Sequence, residues 1–289
     1  SIDRAKKMVE EEAVSVGLAE TDHKLYVKAS VTVMGDHCAS AVIEDDHDRI
    51  VETCFDESVL TSSHGRNTEE AADQKTTLDY HLTVKEIVEF ARTVAYEDIE
   101  FILESRTLNL ALANEGMKGC YGLKVGYAIN LEGNKEVFGG DFLSYAMSLT
   151  AAASDARMAG CTLAAMSNSG SGNQGITTSV PVIVYARGLH CSAERLYRAL
   201  CVSNLITIHL KDGIGALSAY CGVVSAGAGA ACGIAYLLGG GEAEISHTLV
   251  NALAIDSGII CDGAKASCAA KIATAVESGL LGWNMYYNG

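Results

Sequence analysis

Strict alternation marks the first regular element. From Leu25 to Val33 the residues Leu25, Val27, Ala29, Val31 and Val33 face one way, and Tyr26, Lys28, Ser30 and Thr32 the other. That is the period of a half-buried strand. Met34-Gly35-Asp36 reads as a turn, Cys38 to Glu44 as a second strand and Arg49 to Cys54 as a third. Ahead of them, Ala5, Met8, Val9 and Ala13 share one side of a helix over residues 3 to 17, which Gly17 ends. Three strands are marginal alone, so more of this domain is expected outside the sequence.

The period then changes. Residues 63 to 82 are polar and read as a linker or surface excursion. Thr83-x-x-Glu86 has the spacing of a capping box. Val84, Ile87, Val88, Ala91 and Val94 follow at helical spacing, in a helix or broken pair running to about Asn114 and stopped by Gly116. Asp141 can cap a helix ending at Gly160, and Ser192 one through Leu205. Residues 230–238, 245–254 and 268–277 also read as helices. The fold class is therefore α+β. Residues 1–62 form part of a small antiparallel β-meander with a helix, and residues 83–289 a large, mostly α-helical domain.

Composition narrows the function. Against 21 Lys+Arg stand 36 Asp+Glu, a formal charge of −15. No basic stripe is left for a phosphate backbone, which argues against a nucleic-acid partner. Residues 158–186 and 213–241 are uncharged and long enough to cross a bilayer. Both are dominated by Gly, Ala and Ser, and the first carries Asn168, Asn173 and Gln174. They read as closely packed interior segments, with no membrane partner. The same Gly/Ala-rich helices can pack between copies of the chain, so a homo-oligomer is left open. Residues 1–12 are charged, with no initiator Met and no signal peptide, so a piece of a longer protein is expected. Ten cysteines in a chain too large to need disulfide staples point to a reducing cytoplasm. A single proline beside 29 glycines favours long helices, with glycine making the turns.

Three glycine-rich loops carry the candidate chemistry. The first spans Ser167, Asn168, Ser169, Gly170, Ser171, Gly172, Asn173, Gln174 and Gly175, before a strand or helix over 176–186. Small residues let backbone N–H groups approach an anion, and the amides and hydroxyls add directional donors. It reads as a carboxylate cradle or as an ordinary turn. The second loop runs from Ala219 through Cys221 to Gly229, and the third from Ile260 to Cys268. Cys261 and Cys268 flank a short loop able to turn both thiolates to one metal, and Cys221 can supply a third. Buried core thiols are the alternative. Of the histidines, His47 and His64 lie in turn-like segments and His247 in a helical stretch, and all read as structural.

Four motifs in order then carry a resemblance: ASDARMAG at 153–160, SNSGSGNQGI at 167–176, the Cys221 loop with AGAGAACGIAYLLGG after it, and SGIICDGAKASCAAKI at 257–272. Together they resemble the L-cysteine desulfidase family, which is allied to the α-chain of iron–sulfur L-serine dehydratases. The resemblance covers nearly the whole chain and is strongest from about residue 150. It implies a cytoplasmic, oxygen-sensitive, pyridoxal-independent lyase with a 4Fe-4S cluster. Its three cysteine ligands match Cys221, Cys261 and Cys268, while Cys232 reads as packing. The serine dehydratases have a longer gap between the last two ligands, so the desulfidase branch is the nearer match.

The implied reaction takes an amino-acid substrate, L-cysteine or L-serine, through an aminoacrylate to pyruvate and ammonia with loss of sulfide or water. Asn168 to Gln174 would hold its carboxylate or amino group. Lys265 would pair with the carboxylate or tune the cluster, or else is a solvated surface lysine. Asp262 reads as a turn former rather than a base, and Arg157 as a surface ion pair rather than an anion binder. The family's Gly-Cys-Thr-Glu-Pro motif, whose cysteine is its proposed base, does not occur in the sequence. The chain is expected to begin after that motif and to be inactive alone. A non-catalytic amino-acid or carboxylate-binding domain with structural cysteines is the alternative function, and a structural zinc protein a third.

Overall fold

The structure, a computed structural model, describes residues 2–33, 37–45, 49–56, 58–62, 82–215 and 218–289. The chain divides into two compact units, Ser1–Tyr80 and His81–Gly289.

The first unit holds helix α1 (Ile2–Glu10) and strands β1 (Tyr26–Val33), β2 (His37–Glu44), β3 (Ile50–Phe55) and β4 (Ser58–Ser62). The strands pair antiparallel in chain order, with Tyr26 opposite Glu44 and Val33 opposite His37 at the ends of the first ladder. The fourth strand is an addition to the expected three. Two expectations fail here. Helix α1 stops at Glu10, well short of Gly17; the acidic run Glu10–Glu12 places negative charge where a helix end is already negative. Strand β1 is exposed on both faces rather than half-buried, with Val27, Val31 and Val33 near half exposure. Among the described residues of this unit, only Val42 and Val51 are buried hydrophobics. The turn at 34–36, His47, His64 and nearly all of the 63–82 segment lie outside the described residues.

The second unit is helical. It comprises α2 (Val84–Thr93), α3 (Tyr96–Ile99), a 3-10 turn (Glu100–Leu103), α4 (Glu104–Gly116), α5 (Val125–Ile129) and α6 (Lys135–Phe138). The long helices follow: α7 (Phe142–Met158), α8 (Gly172–Gly188), α9 (Ala193–Ile214), α10 (Gly222–Leu237), α11 (Glu242–Ile255) and α12 (Cys268–Tyr287). The helix from Thr83 does break, at Val94-Ala95, and its capping box forms: the Glu86 N–H donates to Thr83 Oγ1 (3.2 Å) and the Thr83 N–H to Glu86 Oε2 (3.1 Å). Asp141 and Ser192 cap α7 and α9 as their positions predict. The chain's one proline, Pro181, lies inside α8.

Helix α10 is the centre, packed on α8, α9, α11 and α12. It starts at Gly222, not near Ala230, so the glycines read as a loop belong to a helix. Each costs about 1 kcal/mol of helix propensity against alanine, and close packing offsets that. A Cβ on Gly229 would fall 2.7 Å from the Ser203 carbonyl of α9. Gly229→Ala is expected to destabilise the unit by about 1–3 kcal/mol through overpacking; urea unfolding checks it, and an unchanged midpoint would mean α9 can move aside. Among the described residues no helix is long and apolar enough to cross a membrane.

Candidate active site

The polar loop before α8 is a tight turn. The Asn168 and Ser171 backbones exchange hydrogen bonds of 3.1 and 3.0 Å, and Ser169 and Gly170 take φ of 48° and 77° between them. Two successive positive φ values are the geometry of a two-residue hairpin turn, which small polar residues and glycine adopt. Ser171 then caps α8 by accepting the Gln174 N–H. The loop is held from below by Asn109 of α4, fully buried. Its amide donates to the Gly175 carbonyl (3.1 Å) and to Ser179 Oγ (2.8 Å), and its oxygen accepts the Met166 N–H (3.0 Å). Sequence reading missed Asn109. Its only signal was one amide inside the apolar run Leu108–Ala113.

The two ends of the loop face different surroundings. Asn168 donates to Asn204 Oδ1 of α9 (2.9 Å), and with Ser169 it lines a cavity of about 410 Å³ walled by Phe90, Phe101, Leu205 and Ile208. At the other end Asn173 accepts from Ser154 Oγ (3.3 Å). Gln174 is 6% exposed, and its Oε1 is buried without a hydrogen-bond partner among the described residues. Its amide lies against Gly222, where an added Cβ would come within 2.7 Å. The guanidinium of Arg157 lies over Gly172 at the head of α8 and makes no ion pair among the described residues, contrary to the surface pair expected of it.

Gly222 follows Cys221, so Gln174 joins the polar loop to the cysteines. Two backbone segments meet there as a short antiparallel bridge between Tyr220 and Ile260. The Cys221 N–H donates to the Ile259 carbonyl (3.3 Å) and the Cys261 N–H to the Ala219 carbonyl (2.7 Å). Cys221 occupies the N-cap position of α10 and Cys268 opens α12, so both thiols stand at the positive ends of helices, which favour thiolates and other anions. Cys221 is buried, Cys268 half-buried and Cys261 exposed. Burial pushes the Cys221 thiol up; the Val223 N–H opposes this, the neighbouring Cys261 and Cys268 thiols add to it, and Lys271 lowers it.

Three lysines surround these thiols. Lys265 donates to Asp262 (2.8 Å), as Lys271 of α12 does (2.7 Å), and Lys271 also donates to the Ile260 carbonyl (3.1 Å). Lys265 and then Lys271 hold the Asp262 carboxyl far below the usual carboxylate range. Lys211, near the end of α9, is buried; burial lowers its ammonium, and Cys261 and Cys221 pull it back up. It donates to the Gly215 carbonyl (2.8 Å). No local sequence pattern marks a role for Lys271 or Lys211.

Among the described residues no trio of His, Cys, Asp or Glu is gathered as for a single metal ion. A polynuclear cluster asks less closeness, since each thiolate takes its own iron. The chemistry of the donors suits such a group: three thiols on neighbouring segments, Cys221 and Cys268 at helix N-termini, with lysines near them. All ten cysteines are free thiols. Cys232 is wholly buried inside α10, where burial drives its thiol up, and it takes no part. His247 stacks on Tyr286 at 4.6 Å between ring centres.

The model of the family described as serine dehydratase alpha chain matches residues 6–289. A UPF0597 protein of Desulfitobacterium hafniense is 55% identical over 72% of this chain and 47% of its own length. Another, of Oleidesulfovibrio alaskensis, is 44% identical over 96% of this chain and 64% of its own. A third, of Clostridium perfringens, is 39% identical over 100% and 66%. The chain thus spans between about half and two thirds of the length of these curated relatives.

Proposed function

The chain belongs to the serine dehydratase alpha-chain family, and from that premise we propose that it is an iron–sulfur, pyridoxal-independent amino-acid lyase. It would take L-cysteine to pyruvate, ammonia and sulfide, with L-serine, losing water, as the other substrate. The short Cys261–Cys268 spacing behind the desulfidase resemblance puts cysteine first.

The observation that carries the reading is the buried, unpartnered Gln174 oxygen lying against the residue that follows Cys221. An acceptor left unpaired in the interior costs about 1–3 kcal/mol. A donor brought by a ligand offsets that cost, and the ammonium group of an amino acid is such a donor. The N-terminus of α8, with the Arg157 guanidinium above Gly172, suits the carboxylate of the same molecule. Cys221, Cys261 and Cys268 would hold the 4Fe-4S cluster, which supplies a Lewis acid for the leaving group when bound. Asp262, held ionised by two lysines, is a poor base for the α proton; its part is to tie Lys265 and Lys271 to the loop.

The test is an anaerobic assay, after reconstitution with iron and sulfide, of the chain preceded by a segment that carries the family's Gly-Cys-Thr-Glu-Pro motif. Pyruvate and ammonia are expected in equal amounts, with sulfide alongside when cysteine is supplied. Amino-acid binding without iron and without either product would support a non-catalytic carboxylate-binding protein instead.

A further inference from the structure

We propose that Lys271 is a positioning residue that clamps the Ile259–Cys268 loop to α12 and so holds the three cysteines ready for the cluster. The inference rests on the cluster reading above, and its test is separable from it.

Lys271 stands three residues after Cys268, on the same face of α12. From the helix it reaches across to two points of the facing loop, the Ile260 carbonyl and the Asp262 carboxylate. Ile260 is half of the bridge to Tyr220, and Cys221 and Cys261 lie on either side of that bridge. One ammonium therefore ties the helix of one thiol to the strand pair that carries the other two. Lys265 cannot do this, because its bond to Asp262 stays within the loop. Exposure separates the two further: the Lys271 side chain is 25% exposed and that of Lys265 55%. Exposed ion pairs contribute little, whereas a partly shielded one that also binds main chain fixes a geometry.

The test compares Lys271→Met, Lys271→Arg and Asp262→Asn, first without iron. Hydrogen exchange at the Cys221 and Cys261 amides reads opening of the bridge directly. Lys271→Met is expected to speed both at least tenfold, Lys271→Arg to restore most of the protection, Asp262→Asn to have a smaller effect because the bond to the Ile260 carbonyl remains, and Lys271→Met/Asp262→Asn to add little beyond Lys271→Met. Reconstituted Lys271→Met should lose iron to a chelator at least tenfold faster than the unchanged protein, and its cluster should have a lower reduction potential, since a nearby positive charge is gone. Unchanged exchange in Lys271→Met would overturn the clamp whatever the iron content. Faster exchange in a protein that takes up no iron would keep the clamp and sink the cluster reading.

Discussion

Asn109→Leu is expected to lower the stability of the helical unit by about 2–4 kcal/mol and to cut turnover about a hundredfold in the fraction that stays folded. Leucine has the same branched outline but is the larger side chain, so no cavity opens and overpacking of this fully buried site adds to the cost. What is lost is polar. The Met166 N–H loses its acceptor, the Gly175 carbonyl and Ser179 hydroxyl lose a donor, and all lie in the interior or at its edge. An orphaned buried donor alone costs about 1–3 kcal/mol. The larger effect on turnover follows from where the clamp sits. Asn109 fixes both ends of the loop, Met166 before it and Gly175 after it, and a misplacement of roughly 1 Å near reacting atoms costs about 100-fold. Urea unfolding and the pyruvate assay read the two parts separately. A variant as stable and as active as its parent would show that the turn holds its shape through Asn168–Ser171 alone.

Gln174→Leu is expected to act in opposite directions on stability and on function. Without ligand, the buried amide oxygen has nothing to pair with, so replacing it with an apolar group of similar size is expected to stabilise the protein by about 1 kcal/mol. With ligand, the same change removes the acceptor and is expected to weaken amino-acid binding at least tenfold, since a hydrogen bond to a charged group is worth about 1.5–3 kcal/mol. Thermal unfolding and calorimetric titration with L-serine give the two numbers. A core residue of no functional value would show the first effect without the second. Loss of both would mean that the glutamine packs tightly enough to matter for its shape.

The sequence made the caps and the long periods legible because local chemistry decides them. Thr83 with Glu86, Asp141 and Ser192 all sit where a helix needs an oxygen for its free N–H groups. Where tertiary packing decides, the reading failed. Gly222 to Gly229 look like a loop because glycine disfavours helix in isolation, yet α10 needs them where its neighbours approach within a Cβ's reach. Alternation in β1 implied a buried face, but alternation reports the side chains and not what covers them.

The site divides the same way. The polar loop and the cysteines stand out as motifs. Asn109, Lys211 and Lys271 do not, because each acts on residues distant in sequence or from the next turn of a helix. Nor did the sequence show that the loop faces two ways, with Asn168 toward the apolar cavity and Gln174 toward Gly222.

Iron and acid-labile sulfide are to be counted per chain after anaerobic reconstitution, beside Cys221→Ser, Cys261→Ser and Cys268→Ser. The account predicts about four of each in the unchanged protein, falling below one in all three variants, with Cys232→Ala unaffected because that thiol is sealed inside α10. A folded protein that takes up no iron, or one that keeps its iron when Cys221 is replaced, would contradict it.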